Sequence, residues 1–276
     1  MIPADWDFVN VPHCWNAIDG QDGGNDYHRG TCHYAKTIKR SDLPSDCEYY
    51  VEINGANSSA DLYLNGKKLA HHDGGYSTFR CDVTDCLKEQ NHLTVYVDNS
   101  VNDRVYPQKA DFTFYGGIYR DVKLIVLNKQ HFDMDYYGGN GLAVNATPNG
   151  ADADVWVRTW QNAQNATVNI KIFDDLGIEV ASGNGVDTHI TVYDAHLWQG
   201  IVDPYLYTCK AELVVDDQVV DCIQTMFGVR EYYVDPNKGF FLNGKSYPLR
   251  GVCRHQDRKG LGNALLQEHH EQDVDM

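Results

Sequence analysis

The 276-residue sequence lacks the features that mark several large classes of protein. No apolar run approaches the roughly 20 residues that a membrane-spanning helix needs, so no membrane partner is expected. The first residues show neither the basic stretch nor the apolar core of a secretory signal, which predicts a cytoplasmic location. Basic residues are also few, with 23 Lys and Arg against 39 Asp and Glu, for a net charge of -16. A surface of that sign repels phosphate backbones, and we expect no nucleic-acid partner.

Metal-binding motifs are absent as well. The eight cysteines form no Cys-x-x-Cys pair, and no His-Glu-x-x-His occurs. We therefore predict no metal ligand and no cofactor site within this chain. A chain of this length buries a core without disulfides, and its start does not resemble a secretory signal. The cysteines are interpreted as free thiols in a reducing compartment.

What the sequence does contain is aromatic residues and glycine, with 18 Tyr, 5 Trp and 24 Gly. Together with Asn and Asp, this composition favours many short strands joined by tight turns. Aromatic rings beside amides and carboxylates also suit sugar surfaces, because a ring covers the apolar face of a sugar. Hydrophobic residues make up 42% of the chain, and the length is typical of about two domains.

Alternating apolar and polar residues predict strands over most of the chain. In the first part the predicted strands are 48–53, 60–64, 67–69, 92–97 and 121–126, with an Asn65-Gly66 hairpin turn and one helical turn at 84–87. In the second part they are 154–159, 166–172, 189–192, 208–214 and 219–223. The even spacing of the second set is typical of an immunoglobulin-like sandwich.

A third part begins near Val229. It contains a second Asn-Gly hairpin at 243–244, a predicted strand at 248–253 and a predicted helix from Gln267 onward. Residues 239–246 match the phosphate-loop pattern G-x-x-x-x-G-K-[ST], which functions only between a strand and a helix. Here the Asn-Gly turn predicts a hairpin and Pro248 interrupts any following helix, so we reject a nucleotide site.

Several segments resemble, in chain order, the signatures of glycoside hydrolase family 2. They are Val9-Asn-Val-Pro-His-Cys-Trp-Asn16, Gly116-Gly-Ile-Tyr-Arg-Asp-Val122, Leu197-Trp198 with Pro204-Tyr-Leu-Tyr207, Phe227-Gly-Val-Arg230, Phe241-Leu-Asn-Gly-Lys245, and Leu249-Arg-Gly-Val-Cys-Arg-His-Gln-Asp257. Each segment alone is a weak signal, but six in the same order are a strong one, and they extend over nearly all of the chain.

The resemblance implies a mostly β fold with three parts. These are a jelly-roll sugar-binding sandwich at 1–129, an immunoglobulin-like sandwich at 130–228, and the first strand and helix of a truncated TIM barrel at 229–276. Retaining glycosidases use two carboxylates, as acid/base and as nucleophile. In the family both lie downstream of the segments present here. We therefore expect no catalytic residue in this chain and no activity of the chain alone.

The same resemblance assigns three substrate-binding residues. Asp111 would accept hydrogen bonds from sugar hydroxyls, reaching from the first domain into the barrel pocket. His255 would contact hydroxyls and support the transition state, and Arg254 would organise the pocket floor. Five residues after Asp111, the Gly116-Gly117 pair is expected to adopt unusual backbone torsions. Arg120 and Asp121 are expected to form an internal ion pair.

Arg-His at 254–255 resembles β-galactosidases, whereas β-glucuronidases of the family usually carry Lys-His there. We therefore favour terminal β-D-galactosides as the substrate, with β-glucuronides second and β-mannosides third. A non-catalytic carbohydrate-binding or interaction module is the alternative from another class. The resemblance also allows a divalent or sodium ion and a homo-oligomer in the complete enzyme.

Overall fold

Antiparallel strands are the main regular element of this protein in a computed structural model that describes residues 6–19, 27–106, 113–136 and 138–276. The chain divides into two units. The first contains residues 1–127 and 254–276, and the second contains residues 128–253. Within the described ranges, no helix is both long and apolar enough to cross a membrane.

The first unit is built on seven strands in two sheets. One sheet has the order β1-β6-β3-β4 and the other the order β5-β2-β7. The strands are β1 (Thr31–Lys39), β2 (Cys47–Ile53), β3 (Ser59–Leu64), β4 (Lys67–Asp73), β5 (Phe79–Asp82), β6 (Gln90–Asp98) and β7 (Val122–Asn128). The unit also has two 3-10 turns, at Arg40–Asp42 and Thr84–Cys86, and the second lies where the sequence predicts one helical turn.

Alternation along the strands brings the two sheets onto one core. On β6, Leu93, Val95 and Val97 are buried, and the residues between them lie on the other face of the sheet. Tyr49 and Ile53 of β2 enter the same cluster from the second sheet. Both sheets thus bury their apolar faces against each other, and the predicted β-sandwich is confirmed.

The second unit carries two further sheets and a small one. Their orders are β11-β10-β13-β14, β12-β9-β8 and β15-β16-β17. The strands are β8 (Leu142–Asn149), β9 (Asp152–Thr159), β10 (Thr167–Phe173), β11 (Glu179–Asn184), β12 (Asp187–Val192), β13 (Tyr207–Val215), β14 (Gln218–Phe227), β15 (Tyr232–Asp235), β16 (Gly239–Leu242) and β17 (Lys245–Ser246). Val155 and Val157 of β9 share one core with Ile170 and Ile172 of β10 and Leu213 of β13, as expected for a sandwich.

The phosphate-loop match at 239–246 is a hairpin, as the sequence predicts. β16 pairs with β17 across Asn243 and Gly244, whose φ angles of 48° and 74° fit the turn. Residues 247–257, which follow this loop, contain no helix, so no helix N-terminus is placed next to it for a phosphate.

The strand predicted at 248–253 is wrong, because these residues form no ladder within the described chain. A barrel strand exists only through hydrogen bonds to strands on either side, and no such partner pairs with it here. The predicted helix is confirmed as α1 (Gln267–Val274). The division at residues 129 and 228 stays a prediction. Residues 229–253 belong to the second compact unit, and 254–276 to the first.

A charged cluster on β4 predicts how the first unit responds to acid. The Asp73 carboxylate accepts hydrogen bonds from Ser59 Oγ at 2.6 Å and Arg104 Nε at 3.0 Å, and lies 3.2 Å from His71 Nε2. Burial alone would raise the pKa of Asp73, but these partners prevail and lower it from 3.8 to about 2.

A carboxyl with a lowered pKa stabilises the fold above its unfolded pKa, and that contribution is lost as the pH falls through the folded value. We therefore expect the free energy of unfolding of the first unit to fall between about pH 4 and pH 2. In Asp73→Asn this part of the pH dependence should be flatter. Urea unfolding at pH 4, 3 and 2 measures it, and equal slopes in the two proteins would contradict the assignment.

Candidate functional site

The glycine motif lies in a loop that is paired with an earlier part of the chain. The backbone N–H of His13 donates to the carbonyl of Ile118 at 2.7 Å, and that of Trp15 donates to the carbonyl of Gly116 at 3.1 Å. Two of the motif segments, about a hundred residues apart in sequence, therefore lie side by side in the first unit.

Two buried asparagines brace this pairing from behind. Asn16 and Asn99 are both fully buried. Oδ1 of Asn16 accepts hydrogen bonds from the Gly116 N–H at 2.7 Å and from Nδ2 of Asn99 at 3.1 Å. Nδ2 of Asn99 also donates to the Phe114 carbonyl at 2.9 Å, and its Oδ1 accepts from the Gly30 N–H at 2.9 Å. The side-chain amides thus replace strand partners for the loop backbone.

Both glycines of the motif are required by close packing. A Cβ on Gly116 would lie 2.0 Å from the Trp15 ring. Gly117 has a φ of 141°, and a Cβ there would lie 2.2 Å from the His13 carbonyl oxygen. The expected unusual torsion is therefore found at Gly117, while Gly116 is needed because the Trp15 ring leaves no room for a side chain.

The ion pair predicted between Arg120 and Asp121 is wrong. The Arg120 guanidinium donates to the Tyr76 carbonyl at 3.0 Å and lies over the Tyr119 ring at 5.2 Å. Successive side chains of an extended chain point in opposite directions. Arg120 therefore turns toward the sandwich while Asp121 is exposed.

The last part of the chain packs against the same loop, within the first unit. Tyr115 Oη donates to Asp257 Oδ2 at 3.0 Å, and Ala264 is buried in one cluster with Cys14, Tyr115 and Tyr119. The pKa of Tyr115 is raised to about 12, mainly by burial and secondly by the hydrogen bond to the Asp257 carboxylate. The phenol therefore keeps its proton for this bond.

Of the three predicted substrate-binding residues, two can be located. Arg254 Nε donates to Asp273 Oδ2 of α1 at 2.9 Å, and its Nη1 lies 3.0 Å from Nδ1 of His270. The bond from Arg254 lowers the pKa of the Asp273 carboxyl. His255, the next residue, is exposed. Asp111 lies outside the described residues. The sugar-binding roles of all three stay predictions.

In the second unit, the remaining motif segments meet. Trp198 donates its backbone N–H to the Val229 carbonyl at 2.9 Å, and the Arg230 guanidinium lies 4.6 Å from the centre of the Trp198 ring. The Tyr207 hydroxyl accepts the His196 N–H at 2.8 Å, an arrangement similar to the tyrosine corner of immunoglobulin-type sandwiches. These residues hold the sandwich together.

Sequence reasoning did not single out Tyr115, Asp257 or the two asparagines. Asp257 ends one motif segment, and Tyr115 directly precedes another. Their pairing is a contact between residues 142 positions apart. The sequence signal for it is weak, because neither residue has a role in the motifs.

Comparison with protein families gives two matches that together span well over half of the chain. The sugar binding domain of glycosyl hydrolases family 2 matches residues 9–128. A second model of glycosyl hydrolases family 2 matches residues 141–230. The matched ranges fall in the two sandwiches described above.

Individual relatives extend over almost the whole chain. A beta-glucuronidase of Bacteroides fragilis is 34% identical over 99% of this chain, and beta-galactosidase BoGH2A of Bacteroides ovatus is 30% identical over 95%. This chain spans only 42% and 32% of those proteins.

A solved structure, the FMN-binding beta-glucuronidase from Facaelibacterium prausnitzii L2-6, is 41% identical and superposes with a TM-score of 0.91. The match covers 98% of this chain and 43% of the chain in that structure. With the motif segments and the two-sandwich fold, these matches show that the chain belongs to glycosyl hydrolase family 2.

Proposed function

We propose that this chain is the substrate-positioning part of a retaining glycosidase whose two catalytic carboxylates lie outside it. The support is the family membership, together with the share of the relatives that the chain spans, which is less than half. On this proposal the chain alone turns over no glycoside, because the chemistry requires a carboxylate pair about 5–5.5 Å apart.

The observation that carries the proposal is the bond between Tyr115 and Asp257. It joins the glycine-motif loop of the sugar-binding sandwich to the segment with Arg254 and His255. Asp111 immediately precedes that loop in sequence. The bond supports the proposal because it connects the sandwich to the segment that is proposed to carry substrate-binding residues.

For the substrate, we propose β-glucuronides. The supporting relatives are the 34% identical Bacteroides fragilis protein and the 41% identical structure, both named beta-glucuronidase. β-Galactosides are the second candidate, because the Arg254-His255 pair is of the kind that resembles β-galactosidases and because one relative is named beta-galactosidase.

The substrate is tested with nitrophenyl β-D-glucuronide and nitrophenyl β-D-galactoside on the longest polypeptide that includes this sequence, beside the 276-residue chain. Turnover of the glucuronide by the longer protein only is the expected result. Turnover of the galactoside alone would replace the first candidate by the second. Comparable turnover by the 276-residue chain would contradict the assignment of roles.

His255→Ala in the longer protein should lower kcat/KM by about 10- to 150-fold, the value for losing a hydrogen bond with a charged partner. The loss should fall mainly on kcat if His255 supports the transition state. Asp111→Ala should lower kcat/KM to a similar extent. His255→Ala should not alter stability much, because His255 is exposed.

Deoxygenated substrates decide whether either residue touches the sugar. If a side chain binds the 3- or 4-hydroxyl, removing both the side chain and that hydroxyl should cost little more than removing one of them. Full additivity at both positions would show that neither Asp111 nor His255 contacts the substrate.

A further inference from the structure

The segment that carries His255 is held at both of its ends. On one side, Arg254 is bonded to Asp273 and His270 of α1. On the other side, the Asp257 carboxylate accepts a hydrogen bond from the Tyr115 hydroxyl. His255 lies between these two anchors and is itself exposed. No ladder hydrogen bond constrains residues 254–257, so the side-chain contacts of Arg254 and Asp257 are what hold the backbone on either side of His255.

The anchor on the sandwich side is the more rigid of the two. Tyr115 is only 6% exposed, and its ring packs with Cys14, Tyr119 and Ala264. Its backbone carbonyl accepts a hydrogen bond from Asn57 Nδ2 at 2.5 Å, so the loop around the ring is fixed as well. Asp273 and His270, by contrast, lie on a helix of eight residues with no buried side chain.

Close packing continues past Asp257. Gly262 has a φ of 58°, and a Cβ there would lie 2.8 Å from Cys14 Sγ and 2.9 Å from the Tyr115 ring. The chain turns back at this point, since the Arg258 N–H donates to the Gly262 carbonyl at 2.9 Å. Asp257 and Gly262, at the two ends of this turn, therefore both contact Tyr115.

We propose that Tyr115 is a positioning residue: through its hydrogen bond to Asp257 it holds His255 in the orientation in which it meets the sugar. Only the statement that His255 meets the sugar rests on the proposed function. The contact between the phenol and the turn is a property of the 276-residue chain and can be tested without any activity.

The chain offers a matched control in Tyr119. This tyrosine is buried in the same cluster, and burial raises its pKa to about 12 as well. Its hydroxyl, however, donates to the Gly75 carbonyl. Tyr119→Phe removes a buried phenol bond from the same core and leaves the bond between Tyr115 and Asp257 in place. An effect that comes only from losing a phenol hydrogen bond in this core should appear in both Tyr115→Phe and Tyr119→Phe.

The first measurement uses this chain alone. Amide exchange at Arg258, Leu261 and Gly262, whose N–H groups donate hydrogen bonds within the turn, should be about 10-fold faster in Tyr115→Phe, because the directional bond at the start of the turn is lost. The resonance of the His255 ring C2–H should shift in the same variant. In Tyr119→Phe the exchange rates should stay within about twofold of the parent, and the His255 resonance should not shift. Unchanged exchange in Tyr115→Phe, or equal changes in both variants, would overturn the proposal.

The second measurement uses the longer protein. Tyr115→Phe should lower kcat/KM roughly 10-fold, mainly through kcat, since misplacing a group by a fraction of an ångström affects the transition state most. Asp257→Ala, which removes the acceptor, should do the same, and the double variant with Tyr115→Phe should be no worse than either single one. Additive losses, or full activity of Tyr115→Phe, would overturn the positioning role. If the parent hydrolyses neither glycoside, the proposed function fails, and the exchange experiment still decides the contact.

Discussion

Gly117→Ala is expected to lower the free energy of unfolding of the first unit by more than about 3 kcal/mol. The φ of 141° is a torsion that L side chains rarely adopt. The new Cβ would also lie 2.2 Å from the carbonyl oxygen of His13 and 3.0 Å from the Cα of Cys14. Both are backbone atoms of the segment paired with the loop, so no side-chain rotation relieves the clash. The strand-like pairing at His13 and Ile118 must separate instead.

Gly66→Ala separates the torsional cost from the steric one. Gly66 also has a positive φ, of 82°, but a Cβ there meets nothing within 4 Å. Gly66→Ala should therefore lower the free energy of unfolding by only about 1 kcal/mol. Urea unfolding followed through the amides of β2 and β6 measures both variants in the same unit. Equal losses in the two would show that the contact with His13 is not what requires glycine at position 117.

The two hairpins illustrate what local sequence determines. Asn65-Gly66 and Asn243-Gly244 were predicted as turns, and all four residues have φ angles between 48° and 82°. A two-residue turn of this type needs a positive φ at both positions, and Asn and Gly are the residues that tolerate it best. Such a requirement is met by adjacent residues, so it can be read from the sequence without knowing the fold.

The strands that the sequence did not reveal share a place in the fold. Each of them lies at the edge of its sheet: β1, β5, β8, β11 and β15. An edge strand is shielded on fewer sides, and its sequence shows weaker alternation. β11, for example, reads Glu-Val-Ala-Ser-Gly-Asn, and none of its residues is buried. Pairing with a neighbour determines these strands, and that neighbour is not visible in a local pattern.

The candidate site also contains residues that the sequence identifies and contacts that it does not. Arg254 and His255 match family motifs, and the glycine pair was expected to adopt unusual backbone torsions. The bond between Tyr115 and Asp257 could not be predicted, because it depends on two segments that meet only after the sandwich has folded. The strand predicted at 248–253 failed for a related reason, since its apolar residues suit a barrel whose other strands do not pair with it here.

The buried amides behind the loop carry the second large expected effect. Asn16→Ala should lower the free energy of unfolding of the first unit by about 3 kcal/mol or more. The change leaves the buried N–H of Gly116 and one proton of the Asn99 amide without their acceptor. It also removes the donor to the His28 carbonyl at 2.8 Å. Asn145→Ala, at an exposed position of β8, should stay within about 0.5 kcal/mol.

A double-mutant cycle with Asn99→Ala tests whether the two amides act as one network. Each single variant leaves the other amide partly unpaired. Once one amide is gone, removing the second should therefore cost at least about 1 kcal/mol less than in the parent. Urea unfolding of the four proteins gives this coupling energy directly. Additive losses would show that Asn16 and Asn99 stabilise the loop independently. In that case the Gly116 backbone would depend on Asn16 alone for its place beside Trp15.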